Sequence, residues 1–474
     1  MITITEYAGR DVAVYGLGRS GLAAARALAA GGARVHAWDD GEAARERAAD
    51  QGIHVSDINK RDWQKFAALA LSPGIPLRFP QPHRLVQLAE MTGVPIVGDM
   101  ELFARAVQAL PEKGRPRIVG ITGTNGKSTT TALIGHILRE SGQDARVGGN
   151  IGTGVLDMEP LHANAIYVLE MSSYQLDLTT SLHCDVSVLL NISPDHLDRH
   201  GGMDGYVAAK KRIFRNQTSR DVAVVGIDDP ASQAIAMGRS RPGEAQLTPI
   251  SAEFGLAGGV SAVCGYLFDS TGGQALRIGN LDVAPALKGR HNHQNAAAAY
   301  AACHALGIAP GRILSALESF PGLPHRMERV GSVDGVTFIN DSKATNAQAA
   351  EQSLKTWPRV HWIVGGQAKS GGLTDLEPYF EHVAHAYLIG ESSQAFATKL
   401  SGKVETTTCG TLDVAVKAAF EAARKSGDPE PVVLLAPACA SFDQFRDFEA
   451  RGEAFREEVQ ALIASAESRQ VAAV

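Results

Sequence analysis

The sequence predicts an α/β protein built from three consecutive α/β domains, and three observations carry that expectation. Short apolar runs rich in β-formers alternate with helical stretches almost throughout, the pattern of βα units around mostly parallel sheets. Two Gly-rich turns, at Gly16–Gly21 and Gly120–Thr129, each follow a strand-like run and precede a helical one. Two polar, Pro/Gly-containing interruptions, Pro111-Glu-Lys-Gly-Arg-Pro116 and Pro321-Gly-Leu-Pro324, divide the alternation into three parts. A chain of 474 residues gives each part enough length to bury its own core. The expected domains are residues 1–112, 113–322 and 323–474, the first and last Rossmann-like and the middle one of P-loop type.

Taken in order, Val12–Tyr15 reads as a buried strand, Gly16–Gly21 as a tight turn, Leu22–Ala30 as a helix and Ala33–Trp38 as a second strand. Leu69–Leu71 runs into Ser72-Pro73-Gly74, and Pro95–Val97 makes another strand before Gly98. The middle segment opens with a strand at Arg117–Thr122, a loop, and a helix from about Ser128 to Glu140. Further strands are expected at Ala165–Leu169, Val186–Leu190 and Val222–Val225, then loops and short strands over 240–287 and an Ala-rich helix within Leu287–Gly307. In the last segment, Val336–Ile339, Val360–Val364, Ala386–Ile389 and Val432–Leu435 alternate with helices again.

Composition narrows the function. Hydrophobic residues at 45% and charged residues at 20% exclude wholesale disorder. With 45 basic against 51 acidic residues and no Lys/Arg run, there is no electrostatic footprint for nucleic acid. The five cysteines are scattered and never spaced as CxxC, which argues against a zinc site or a disulfide framework and for a reducing compartment. The first residues lack a basic stretch followed by an apolar one, and no apolar run approaches 18 residues. A cytoplasmic protein with no membrane insertion is expected.

The strongest chemical signal is Gly120-Ile-Thr-Gly123-Thr124-Asn125-Gly126-Lys127-Ser128-Thr129. Backbone N–H groups of such a loop can surround phosphate oxygens, and a helix N-terminus adds favourable partial charge. Lys127 would neutralise β/γ-phosphates, and the Ser128 or Thr129 hydroxyl would meet Mg²⁺. The strict pattern asks for Gly at position 121, where this chain has Ile, with glycines at 120 and 123 instead. The competing reading is a Gly-rich turn with a surface lysine.

Glu170 ends a strand, where ligands collect in open α/β sheets, so it is either a Mg²⁺ anchor or a solvated strand-end carboxylate. The cluster Asp195-His196-Leu-Asp198-Arg199-His200 could bind metal or place a base, although such loops also serve as caps and turns. Lys210-Lys211-Arg212 lies on an expected helix, and composition alone does not separate a solvated face from active-site lysines. Gly16-Leu-Gly18-Arg-Ser-Gly21 with Asp39 after the next strand matches the dinucleotide fingerprint, which would put Asp39 on a ribose. That fingerprint reports a backbone able to accept a diphosphate, and nicotinamide is not encoded in it. In the last segment Asn340–Asn346, Gly365-Gly-Gln-Ala-Lys369 and Pro437–Phe445 each place polar groups just beyond an apolar run, which together suggest a binding edge.

These segments together resemble the Mur ligase family, amide-forming ATPases of bacterial cell-wall precursor synthesis. The likeness rests on Gly123–Thr129, Glu170-Met-Ser-Ser-Tyr-Gln-Leu176, Asp195–Arg199, Gly289-Arg-His-Asn-His-Gln-Asn295, Gly322-Leu-Pro-His-Arg326, Asn340-Asp-Ser-Lys-Ala-Thr-Asn346 and Ser441-Phe-Asp-Gln-Phe445. The resemblance implies ATP-driven amide synthesis: the carboxylate of UDP-N-acetylmuramoyl-L-alanine takes the γ-phosphoryl group, and the D-glutamate amine then displaces phosphate. It also implies that the N-terminal Gly-rich turn serves a uridine nucleotide and no redox cofactor.

By the same resemblance, Ser72, Gly74, Asn150 and His196 lie by the UDP-sugar. Ser128, Thr129, Glu170, His196 and a carbamylated Lys210 surround two Mg²⁺ ions, and Lys127, His196 and Lys210 serve the chemistry. Asn295, Arg326 and Asp341 hold adenine and ribose, while Thr345, Lys369, Ser441 and Phe448 receive the D-glutamate carboxylates. A lysine and hydroxyls suit a dicarboxylate, because each desolvated oxygen needs a donor or a positive charge. A monomer is expected.

Overall fold

A computed structural model describes residues 1–239, 243–368 and 371–472. The chain is α/β, with three parallel-rich sheets, and it divides into two compact units. The first comprises Met1–Val283 and Asn292–Ser319, and the second Ala284–His291 and Phe320–Val474.

The first unit carries two sheets. One has four parallel strands in the spatial order Arg34–Trp38, Asp11–Tyr15, Phe66–Leu71, Ile96–Val97. Phe66–Leu71 is buried at every position, as expected of an inner strand covered on both faces, whose sequence then reads as a continuous apolar run rather than an alternation. The other sheet has nine strands, ordered Leu276–Asn280, Tyr266–Asp269, Val260–Val263, Gln246–Ser251, Val222–Gly226, Val186–Leu189, Arg117–Thr122, Ala165–Glu170, Asp144–Gly149. All neighbours are parallel except at the end formed by Val260–Val263, Tyr266–Asp269 and Leu276–Asn280, which pair antiparallel. The expected short strands of 240–287 are these.

Within this unit the helix Asp99–Gln108 ties the two sheets together. Its Glu101 side chain is 1% exposed. It accepts the N–H and hydroxyl of both Thr180 and Ser181 at 2.7–3.0 Å, and Nε of Arg105 at 2.9 Å. Burial alone would raise the carboxyl pKa, and these donors outweigh it, holding the group down at about 2.

The second unit holds a six-stranded sheet in the order Glu328–Val333, Val336–Asn340, Val432–Leu435, Val360–Gly365, Val383–Ile389, Thr406–Gly410, parallel but for the first pair. Three strands absent from the sequence reading, Asp144–Gly149, Glu328–Val333 and Thr406–Gly410, are all sheet edges. Polar residues and glycines are tolerated there because one flank faces away from the ladder, and that composition hides them from a search for apolar runs. Among the described residues no helix is long and apolar enough to cross a membrane.

Candidate active site

Parallel pairing sends the carboxyl ends of the inner strands to one edge of each sheet. In the nine-stranded sheet, Thr122 pairs in register with Leu189, and Ile121 with Glu170. The phosphate loop, Glu170 and the loop after Leu189 therefore leave the sheet side by side, where open α/β sheets bind ligands.

The loop runs from Thr122 to the helix Lys127–Glu140, whose N-cap, Gly126, has φ 82°. A Cβ at Gly126 would lie 2.2 Å from Oδ1 of Asn295, so both the backbone sign and the close approach require glycine. Asn295 is 2% exposed, accepts the Thr130 hydroxyl at 3.1 Å and donates to Asn292. It stands behind the loop and braces it. Asn191 holds the other side: its carbonyl accepts Thr124 N–H, its Oδ1 accepts Asn125 N–H and its Nδ2 donates to Asn125 O. Nothing in the spacing of the sequence singled out Asn191, because its partners are more than 60 residues away.

Lys127 Nζ donates to the carbonyls of Gly123 (2.9 Å) and Thr124 (2.7 Å). Lys210, 1% exposed, reaches the same Gly123 carbonyl at 2.6 Å and lies 4.6 Å from the centroid of the Tyr206 ring. Burial, reinforced by the charge of Lys127, lowers the Lys210 pKa well below that of a free lysine. The neighbouring Lys211 is exposed, so the helix Met203–Lys211 presents only one of the two lysines to the loop.

Glu170 is 2% exposed. Its Oε1 accepts Nδ2 of Asn150 at 2.7 Å, and its Oε2 is buried with no hydrogen-bond partner among the described residues. A buried carboxylate oxygen without a donor is costly unless a cation meets it, so the donor set here fits a divalent metal bound by oxygen. His196, with φ 52°, lies 3.4 Å from the Asp195 carboxylate, and its ring packs on Tyr174 at 5.0 Å. Burial lowers its pKa, as do the charges of Lys127 and Lys210, against the opposing pull of Asp195.

A cleft of about 510 Å³ is lined by Ser72, Gly74, Lys127, Asn150, His196 and Lys210, and reaches the N-terminal turn at Gly16 and Gly18. That turn is set by backbone proximity, since a Cβ on Gly21 would sit 1.8 Å from the Gly16 carbonyl oxygen. Ser72 Oγ donates to the same carbonyl at 2.6 Å. Asp39 accepts Leu17 N–H at 2.7 Å and Gly41 N–H at 2.8 Å. One carboxylate oxygen thus anchors the turn from within, and the other holds the backbone two residues further on. Arg199 draws the Ser72–Ile75 segment toward the His196 loop by donating to the carbonyls of Pro73, Gly74 and Ile75 while stacking over Tyr174 at 4.5 Å.

In the second unit, Asn340 pairs with Leu435 and Leu435 with Ile363. The segments carrying Asp341, Thr345 and Ser441 consequently leave the same sheet edge. Asp341 accepts Met327 N–H and the Ser353 hydroxyl, and burial raises its pKa to about 6. Arg326 lies between His325 and Met327, both at positive φ. Its charge lowers the Asp341 pKa, against the larger effect of burial. Phe448 opens the helix Phe448–Ala472 and carries Lys343 Nζ 3.7 Å from its ring centroid. Ser441 is 2% exposed, and its carbonyl accepts the N–H groups of Gln444 and Phe445. Lys369 lies outside the described residues.

Known proteins agree with this architecture. Residues 121–303 match the Mur ligase middle domain, and residues 325–439 match the Mur ligase glutamate ligase domain. The chain is 55% identical over 472 residues, the whole of both sequences, to UDP-N-acetylmuramoylalanine–D-glutamate ligase of Caulobacter vibrioides. It is 50% identical over 467 residues to the protein of that name from Rhodospirillum rubrum, covering 98% of this chain and 97% of the other. Among solved structures, UDP-N-acetylmuramate–alanine ligase from Thermotoga maritima superposes with a TM-score of 0.58 at 19% identity, over 95% of this chain and 99% of that one. The MurF ligase of the same organism, in complex with ADP, gives 0.55 at 18% identity, over 84% and 90%. At those identities the structural likeness speaks for the fold.

Proposed function

The chain belongs to the Mur ligase family, and we propose that it is the ATP-dependent ligase that adds D-glutamate to UDP-N-acetylmuramoyl-L-alanine in peptidoglycan precursor synthesis, releasing ADP and phosphate. What carries the reading is full-length 55% identity to a ligase of that name, joined to a cleft that runs from a diphosphate-accepting turn to a phosphate loop. The domain division at 112/113 and 322/323 is part of this proposal.

The chemical problem is charge: an anionic carboxylate must approach an anionic γ-phosphate. In our reading the N–H groups of Gly123–Thr129 and the N-terminus of the helix Lys127–Glu140 receive the ATP phosphates. Lys127 swings from its own loop carbonyls to the β/γ-phosphates, trading neutral acceptors for anionic ones. The Gly16–Gly21 turn receives the uridine diphosphate, and Ser72, Gly74, Asn150 and His196 line the path of the sugar toward the γ-phosphate. Asn295 keeps the phosphate loop in place from behind, while Arg326 and Asp341 serve adenine and ribose. Once phosphorylated, the carboxyl carbon accepts the D-glutamate amine, and phosphate leaves. Thr345, Lys369, Ser441 and Phe448 receive the D-glutamate carboxylates.

Two Mg²⁺ ions, when bound, would offset the phosphate charge and polarise the transferring group. Ser128, Thr129, Glu170 and His196 would hold them, the unpartnered Oε2 of Glu170 being the observation that favours this. Lys210 would join them as its carbamate, since burial favours the neutral amine that adds carbon dioxide. The protein is read as a cytoplasmic monomer.

The test is product mass. Given UDP-N-acetylmuramoyl-L-alanine, ATP, magnesium and a mixture of candidate amino acids, the purified protein is expected to form only the D-glutamate adduct, with one ADP per adduct. An adduct of another amino acid, or ATP turnover without an adduct, overturns the assignment.

A further inference from the structure

In the second unit a buried guanidinium joins two of the segments at the carboxyl edge of the sheet, and sequence reasoning assigned it nothing. Arg451, on the helix Phe448–Ala472, is 1% exposed. Its Nε donates to the Ser342 hydroxyl at 3.0 Å, and one terminal nitrogen donates to the carbonyls of Ser342 (2.9 Å) and Cys439 (3.1 Å). The other approaches the Ala440 carbonyl at 3.5 Å. Ser342 in turn donates its hydroxyl to the Phe448 carbonyl at 2.8 Å. One planar fork therefore fastens Asn340–Asn346 to Pro437–Ser441, and its acceptors among the described residues are all neutral oxygens.

A buried cation ordinarily sits against a carboxylate. Among the described residues no carboxylate forms an ion pair with Arg451. Asp443 acts on it only through its field, and its Oδ2 already accepts Glu391 N–H at 2.9 Å. Burial lowers the guanidinium pKa only to about 10, so the charge persists at neutral pH. The fork geometry matters as much as the charge: a lysine offers three donors from one point and cannot reach acceptors on both segments in one plane.

We propose that Arg451 is a positioning residue for the amino-acid substrate, holding Thr345 and Ser441 on one preorganised surface and lending that surface a positive field that favours a dicarboxylate. This rests on the reading of Thr345 and Ser441 as D-glutamate contacts. A misplacement of about 1 Å at such a site costs roughly 100-fold.

The experiment compares wild type, Arg451→Lys and Ser342→Ala, by steady-state kinetics in each substrate and by hydrogen exchange of the free protein. Arg451→Lys is expected to raise the KM for D-glutamate roughly 10- to 100-fold, with the KM values for ATP and the UDP-sugar within about twofold of wild type. Ser342→Ala, which removes one acceptor and little volume, should shift the same KM in the same direction by less. Exchange should rise together in 340–346 and 437–441 in both variants. An unchanged D-glutamate KM in a folded variant, or KM values for all three substrates moving equally, overturns the positioning role. So does exchange that stays at the wild-type level in both segments. If wild type makes no D-glutamate adduct while both segments still loosen in the variants, the ligase reading fails and the fastening role of Arg451 stands.

Discussion

The turn at Gly16–Gly21 and the loop at Gly123–Thr129 are built alike. Each leaves the carboxyl end of a buried parallel strand, Asp11–Tyr15 or Arg117–Thr122, and each opens a helix, Arg19–Ala30 or Lys127–Glu140. They differ in the charge around them. At the first, Arg19 is committed to the carbonyls of Asn150 and Gly152, and Asp39 is committed to backbone N–H groups. At the second, two lysines converge on one carbonyl, and Glu170 presents an oxygen with no donor. On the proposed reading the same backbone device serves two tasks. A diphosphate that is only to be held needs N–H groups and a helix end. A phosphoryl group that is to be transferred needs mobile cations and metal ligands as well.

Removing the cation should separate the two tasks most sharply. Lys127→Ala is expected to lower kcat by roughly 10³-fold or more while leaving UDP-sugar binding, read by calorimetry, within about twofold of wild type. Loss of both together would break the comparison. Lys210→Ala should also abolish turnover, and added acetate or formate should restore part of it by supplying the missing anionic oxygen. Full activity without the additive would remove the carbamate from the account.

The converse change strikes the first turn. In Gly21→Ala the new methyl group would overlap the Gly16 carbonyl, so UDP-sugar affinity should fall and global stability should drop by about 1–3 kcal/mol. Nucleotide-dependent protection of the phosphate loop should survive. If ATP-analogue binding failed first, the two turns would not be independent.

A pH-dependent effect belongs to the contact between the sheets that carry them. The Glu101 pKa is depressed in the folded state, so its stabilisation is present above its ordinary value near 4.5 and is lost as pH falls from there to about 2. That corresponds to about 3 kcal/mol across the window. Glu101→Gln should flatten this part of the acid-unfolding curve, followed by denaturant midpoint against pH. An unchanged slope would mean that other carboxylates set it.

Much of this was legible in sequence for local reasons. Strand, turn and helix succeed one another within a few residues at Gly120–Thr129, and the polar segments beyond Ile339 and Leu435 announce themselves by following apolar runs. What could not be read depends on partners distant in the chain. Asn191, and the bracing contact of Asn295 with Thr130 beyond the adenine and ribose role the resemblance implies for it, matter because of where the phosphate loop lies, and Arg451 because two segments about 100 residues apart meet over it. Asp39 shows the opposite limit. Its position fits a ribose ligand and a backbone anchor equally well in sequence, and the structure shows the anchor, Leu17 N–H at 2.7 Å.

The central claim is that a carboxylate is carried from the first turn to a phosphoryl group held at the second. It is tested most directly by labelling both oxygens of the L-alanyl carboxylate of UDP-N-acetylmuramoyl-L-alanine with ¹⁸O and analysing the released phosphate during turnover with ATP and D-glutamate. The account predicts one labelled oxygen per phosphate and one retained in the new amide carbonyl. Phosphate without label, formed in step with the amide, would contradict it.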